Sequence, residues 1–204
     1  MVQPLNRLKE SASQTAGPYV HIGLTPNFAE ITGVYPEDLG TSMVNDKTKG
    51  DRITVTGRVI DGTGTPLKDA LLEIWQADAD GLYNSPSEMR GAADPNFTGW
   101  GRCPTHMDTG VFTFHTVKPG RVPFPDGRMM APHITFWVVA RGINLGLQTR
   151  MYFGDEEKAN KEDPILTRVE HQVRVPTLIA KREGDTYTFD IHLQGEKETI
   201  FFDI

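Results

Sequence analysis

Cysteine is almost missing from this sequence: Cys103 stands alone in 204 residues. A framework of internal disulfides is therefore excluded, and a single thiol suits a reducing compartment. Cys103 itself reads as a small buried hydrophobe. No apolar run nears the roughly 20 residues that span a bilayer, and no apolar leader follows Met1. The expectation is a chain that works in the cytoplasm and away from membranes. Clusters of lysine and arginine are missing too. With a net charge of −6, a nucleic-acid surface lacks its electrostatic footprint. Glycine-rich nucleotide loops, H-E-x-x-H and G-x-S-x-G are all absent, so nucleotide cofactors and serine hydrolysis find no support.

What the sequence has is turns and short alternating runs. Its 20 glycines and 14 prolines supply the many turns that an all-β fold needs. Residues 1–50 are poor in strand pattern and too poor in apolar side chains for a core of their own. They read as an N-terminal arm lying over the domain or over another subunit, because Tyr19, Val20 and Ile22 are too apolar to be left in water. Gly17-Pro18 reads as a rigid turn. From residue 51 the period becomes two. Ile53, Val55, Gly57 and Val59 alternate with Thr54, Thr56 and Arg58, and Asp61 to Pro66 is a turn cluster of the kind that closes a hairpin. Ala70 to Ala77 is apolar on both faces except at Glu73 and Gln76, so a central strand is expected, with Trp75 in the core. Residues 78–104 read as turns. Strands resume over 110–117, 131–141 and 148–153, with His115 facing outward. Asp155 to Lys161 reads as a short surface helix stopped by Pro164. A last hairpin runs over 178–182 and 187–193, and the apolar end Ile200-Phe201-Phe202-Asp203-Ile204 must pack against something. Residues 51–204 are thus expected to form one mainly antiparallel β-sandwich.

The run from Ala131 to Arg141 has polar residues at both ends of a strand core, Phe136-Trp137-Val138-Val139. Pro132 lies just before it, where a missing N–H does least harm to a ladder. Metal-binding strands often use His-x-His, because alternation puts both rings on one face. Here the second position is Thr135. His133 has no partner at that spacing, and the other five histidines are scattered. Spacing alone gives no complete metal site.

Several segments together resemble the intradiol ring-cleavage dioxygenases, in their heteromeric form of paired α and β chains. They are Ser13-Gln14-Thr15-Ala16-Gly17-Pro18-Tyr19-Val20-His21-Ile22-Gly23-Leu24, Glu73-Ile74-Trp75-Gln76-Ala77-Asp78, Asp94-Pro95-Asn96-Phe97, Thr116-Val117-Lys118-Pro119-Gly120, Ala131-Pro132-His133-Ile134, Ala140-Arg141-Gly142-Ile143-Asn144, Thr177-Leu178-Ile179-Ala180-Lys181-Arg182 and Phe201-Phe202-Asp203. The resemblance covers nearly the whole chain and is to the α-type chain. It implies a β-sandwich and a non-haem Fe(III) held by two Tyr and two His of the partner β chain. The β-type strand reads Arg-x-x-His-x-His, whereas this chain has Met130-Ala131-Pro132-His133-Ile134-Thr135. The positions of the ligand tyrosines fall near Met89 and Val122. No metal ligand is therefore expected here, with His133 a relic of the ligand strand. The resemblance also implies that Thr15, Gly17, Pro18 and Tyr19 wall the β chain's pocket and that Arg141 approaches the carboxylate of 3,4-dihydroxybenzoate. That substrate would be cleaved with O2 to 3-carboxy-cis,cis-muconate in a higher-order α–β oligomer. Two other readings remain open. A homomeric intradiol catechol dioxygenase would need two Tyr and two His in one chain. A non-catalytic β-sandwich binding module would need no iron-bearing partner.

Overall fold

The computed structural model describes residues 15–144 and 146–203. Residues 1–14, with Ser13 and Gln14 of the first segment and most of the arm's opening, lie outside the described residues, as do Leu145 and Ile204. Alternation decides the strands. In β1 (Arg52–Ile60), Ile53, Val55, Gly57 and Val59 are buried and Arg58 is exposed. β4 (Val111–Val117) buries Phe112 and Phe114 and exposes Thr113 and His115. Between them in sequence come β2 (Leu71–Trp75) and β3 (Trp100–Pro104), and after them β5 (His133–Val139) and β6 (Leu147–Phe153). The chain then makes a short helix (Glu157–Glu162) and two 3-10 turns before β7 (Ile179–Glu183), β8 (Thr186–Thr188) and β9 (Ile191–His192).

The strands pair in the order β3-β2-β5-β6-β7-β8-β1-β4, with β9 also beside β1. The β3-β2-β5-β6 side lies over the β8-β1-β4 side, and β7 carries the pairing from one to the other. Aromatic rings close the space between them. Phe136 of β5 lies 5.9 Å from Phe112, 6.1 Å from Phe114 and 5.4 Å from Phe189, centroid to centroid. Full burial of one such ring contributes roughly 2–3 kcal/mol. Phe201 packs on this core, and Phe202 packs on a smaller cluster around Tyr152, Leu166 and Leu178.

The sandwich is as expected and mainly antiparallel, with three corrections of detail. The parallel pairs are β6–β7, β1–β8 and β1–β9, and the long return through the helix and the 3-10 turns brings β7 alongside β6 in the same direction. The turn at Asp61–Pro66 closes a hairpin only at the Ile60–Pro66 bridge. Beyond it the chain crosses to the other layer, where β2 pairs with β3 and β5. β3 carries a strand through Gly101 and Pro104, residues without a strand signature, because it is the outer neighbour of β2. Trp75, expected in the core, is 37 % exposed and stacks on Tyr83, since it ends β2 with its ring on the outer face.

Within residues 15–50, Gly17-Pro18 is not a free-standing turn. Gly17 precedes α1 (Pro18–Leu24), and Pro18 takes its first position, where a missing N–H costs nothing. The segment that follows is tied to the domain through Arg102, whose guanidinium donates to the carbonyl of Leu24 at 3.1 Å and whose amide donates to Gly40.

Candidate functional site

The end of β5 and the arm segment from Thr15 onward meet at one corner. The hydroxyl of Thr15 donates to the carbonyl of Ala140 (3.3 Å) and accepts from the amide of Gly142 (2.9 Å). It thereby satisfies the two backbone groups that flank Arg141, at a turn where Gly142 has φ +83°. Arg141 is 73 % exposed and pairs through Nε with Asp69 Oδ2 at 2.8 Å. Asp69 precedes β2, and its backbone carbonyl accepts from His21 Nε2 of α1 at 3.0 Å. His21 is buried and also pairs with Thr25 at 3.2 Å. Gly17 and His21, one helical turn apart, face the domain together.

These residues enclose a cavity of about 500 Å³ lined by Gly17, His21, Phe28, Asp69, Met107 and Arg141, among others. Its size suits a small molecule. Phe28 and Met107 supply apolar surface, and Arg141 supplies a planar cation at the edge. Of the residues expected to bind substrate, Gly17 and Arg141 line this cavity, while Thr15 lies behind it, bonded to the backbone on either side of Arg141. Pro18 starts α1 beside them. Tyr19 does not join the lining: it is 84 % exposed, because two residues along a helix turn it well away from Gly17. Arg141 is both a surface ion pair and a cavity residue. Asp69, His21, Phe28 and Met107 were not legible as site residues, because they come from separate segments and carry no motif. The one hint was Asp69, a charge placed directly before a buried strand.

The strand with the missing histidine is the second place to look for chemistry. His133 is 3 % exposed, and its Nδ1 donates to the carbonyl of Ala131 at 2.8 Å. Burial, and then the positive charge of Arg150, push its pKa down to about 4. Tyr152, paired across the sheet, has its phenol raised by burial and by the neighbouring Asp163. Thr135 stands opposite Arg150, whose Nη1 contacts Met130 Sδ at 3.6 Å. Val122, Met130 and Ala77 form a buried apolar cluster, while Met89 is 90 % exposed and outside it. Among the described residues no three His, Cys, Asp or Glu side chains converge. These residues do not fit a ferric ion: a guanidinium lies beside the histidine, and a thioether and an isopropyl group fill the space that ligands would need.

A family model described as "Dioxygenase" matches residues 24–195. The chain is similar to the protocatechuate 3,4-dioxygenase alpha chain of Pseudomonas putida, 45 % identical over 98 % of this chain and 99 % of that one. It is 38 % identical to the beta chain of the enzyme of that name from Burkholderia cepacia, over 84 % of this chain and 77 % of that one. Among solved structures, 3-chlorocatechol 1,2-dioxygenase from Rhodococcus opacus 1CP superposes with a TM-score of 0.57 at 22 % identity, over 79 % of this chain and 67 % of that one, a likeness of fold.

Proposed function

Because the chain belongs to the intradiol ring-cleavage dioxygenase family, we propose that it is the α subunit of a heteromeric protocatechuate 3,4-dioxygenase. The reaction is cleavage of 3,4-dihydroxybenzoate with O2 to 3-carboxy-cis,cis-muconate, in a cytoplasmic oligomer of α and β chains. The observation that carries this reading is a ligand strand filled by Met130 and Arg150 in a chain that matches an α chain end to end. The iron and its ring-opening chemistry are assigned to the β chain.

This chain's own residues bind and orient. Arg141 sets a fixed positive charge where the substrate's carboxylate lies, away from the reacting hydroxyls. Thr15 holds the backbone on either side of it. Gly17 lets the arm's backbone come close to an aromatic ring, and Pro18 fixes where the helix begins. Tyr19, exposed in the chain by itself, reaches across to the partner's pocket, where its ring packs on the substrate and its hydroxyl donates. Such remote groups fix orientation while the reacting atoms lie elsewhere. Residues 1–50 serve as the interface arm, and residues 51–204 as the dioxygenase-like sandwich.

Iron content and protocatechuate-dependent O2 uptake test this, for the chain alone and for the chain co-expressed with an intradiol β chain. Iron and turnover only in the mixture are expected. Turnover by the chain alone would favour a homomeric enzyme. Neither activity nor iron in a correctly associated mixture would favour a binding module.

A further inference from the structure

Arg141 is a 73 % exposed side chain, yet the groups around it are tied into the fold. On its own side, Thr15 closes the carbonyl before it and the amide after it. On the other side stands Asp69. The next residue, Ala70, is fully buried. Its amide donates to Thr105 Oγ1 at 3.0 Å, and its carbonyl accepts from the Thr105 amide at 2.8 Å. The carbonyl of Asp69 is held by the buried ring of His21. The carboxylate is thus the tip of a post whose backbone is fixed at two successive residues. It takes Arg141 at Nε, 2.8 Å away. The closest approach of this pair is at Nε and not at the Nη end, and the side chain is largely open to solvent. An arginine held at Nε keeps the end of its fork free for a second planar anion.

We propose that Asp69 is a positioning residue for Arg141. It holds the guanidinium at Nε so that the Nη end faces the cavity and receives the carboxylate of an aromatic acid. His21 ties the arm helix to the same post, so that Gly17 and the guanidinium keep a fixed separation. This inference rests on the pocket role given to Arg141 above.

The test uses the assembled α–β complex and two ligands: protocatechuate, read as KM, and catechol, which has no carboxylate, read as a competitive Ki. Asp69→Asn is expected to raise the protocatechuate KM about tenfold and to leave the catechol Ki within about twofold. Asp69→Asn combined with Arg141→Ala should be no worse than Arg141→Ala alone, since both remove one interaction. An equal rise for both ligands would mean general damage to the pocket and would overturn positioning. So would a wild-type or lowered protocatechuate KM, which would make Asp69 only a neutralising charge. Should Asp69→Asn not assemble, Arg141→Lys probes the same geometry. The single ammonium is then taken by Asp69 and the loss should match that of Arg141→Ala; a wild-type KM would overturn the proposal. Should Arg141→Ala itself leave the protocatechuate KM unchanged, the pocket role of Arg141 falls, and the role of Asp69 falls with it.

Discussion

His133 shows how one residue's surroundings decide its chemistry. A histidine on a strand, with its Nδ1 bonded to a carbonyl, has the arrangement that metal-bound histidines use. Arg150 across the sheet and Met130 beside it turn that arrangement into a neutral, buried ring. The consequence is a dependence of stability on pH. The folded pKa is about 4, against roughly 6.5 when unfolded, so the unfolded chain binds the proton first. Stability attributable to His133 is complete above the unfolded value and is lost as pH falls from there toward 4, by about 3 kcal/mol in all. Urea unfolding at pH 7 and at pH 4.5 should show this loss. His133→Gln should flatten the slope between those two conditions, and an unaltered slope would show that other groups cause it.

Between elements, the packing is held by a few charged contacts at strand ends. Asp155, just past β6, accepts from Lys118 beyond β4 (2.9 Å), from Arg182 of β7 (2.8 Å) and from the hydroxyl of Tyr187 in β8 (3.0 Å). One carboxylate thus ties four strand ends where the pairing passes between layers. Burial raises its pKa, but the hydrogen bonds from Lys118 and Tyr187 outweigh burial and keep it below the ordinary carboxylate value. Its stabilisation is therefore present above the unfolded carboxylate pKa, about 3.9, and fades as pH falls below that. Asp155→Asn should cost on the order of 1 kcal/mol at pH 7 and much less near pH 3, read from thermal melts at both. Equal costs at both values would point to lost packing instead. Gly57 shows a tighter constraint in the same layer: a Cβ there would run into the carbonyl of Phe189. That is why β1 carries a glycine where alternation calls for a large apolar residue.

Among the described residues of the arm, several large apolar side chains stand in water. Tyr19 and Ile22 are 84 % and 43 % exposed, and Val34, Tyr35 and Leu39 follow them. On the proposed heteromer this is contact surface. Tyr19→Asp with Ile22→Asp should weaken association with the β chain at least about tenfold while leaving the melting temperature of the isolated chain nearly unchanged. Titration of one chain with the other measures the first effect, and undiminished association would remove this face from the interface. Much of this molecule was legible in the sequence, because period-two burial is a local property that each strand carries in its own residues. The sandwich, the outward His115 and the gap at Thr135 all follow from such local patterns, whereas Arg141 was marked only by the family resemblance. β3 was not legible, because its strand character comes from its neighbour and not from Gly101 or Pro104. The Asp69–Arg141 post, the inward His21 and the outward Tyr19 were not legible either. Thr15 meets Gly142 across 127 residues and His21 meets Asp69 across 48, and contacts at such separations are set by how the layers close. Every strand but β3, and the Thr135 that stands where a second histidine would complete a His-x-His pair, could be read from the chain itself, because alternation and residue identity are written locally. That Arg141 has an anchor in Asp69 and His133 a cation for a neighbour could be seen only once the chain was folded, because folding brings those charges together.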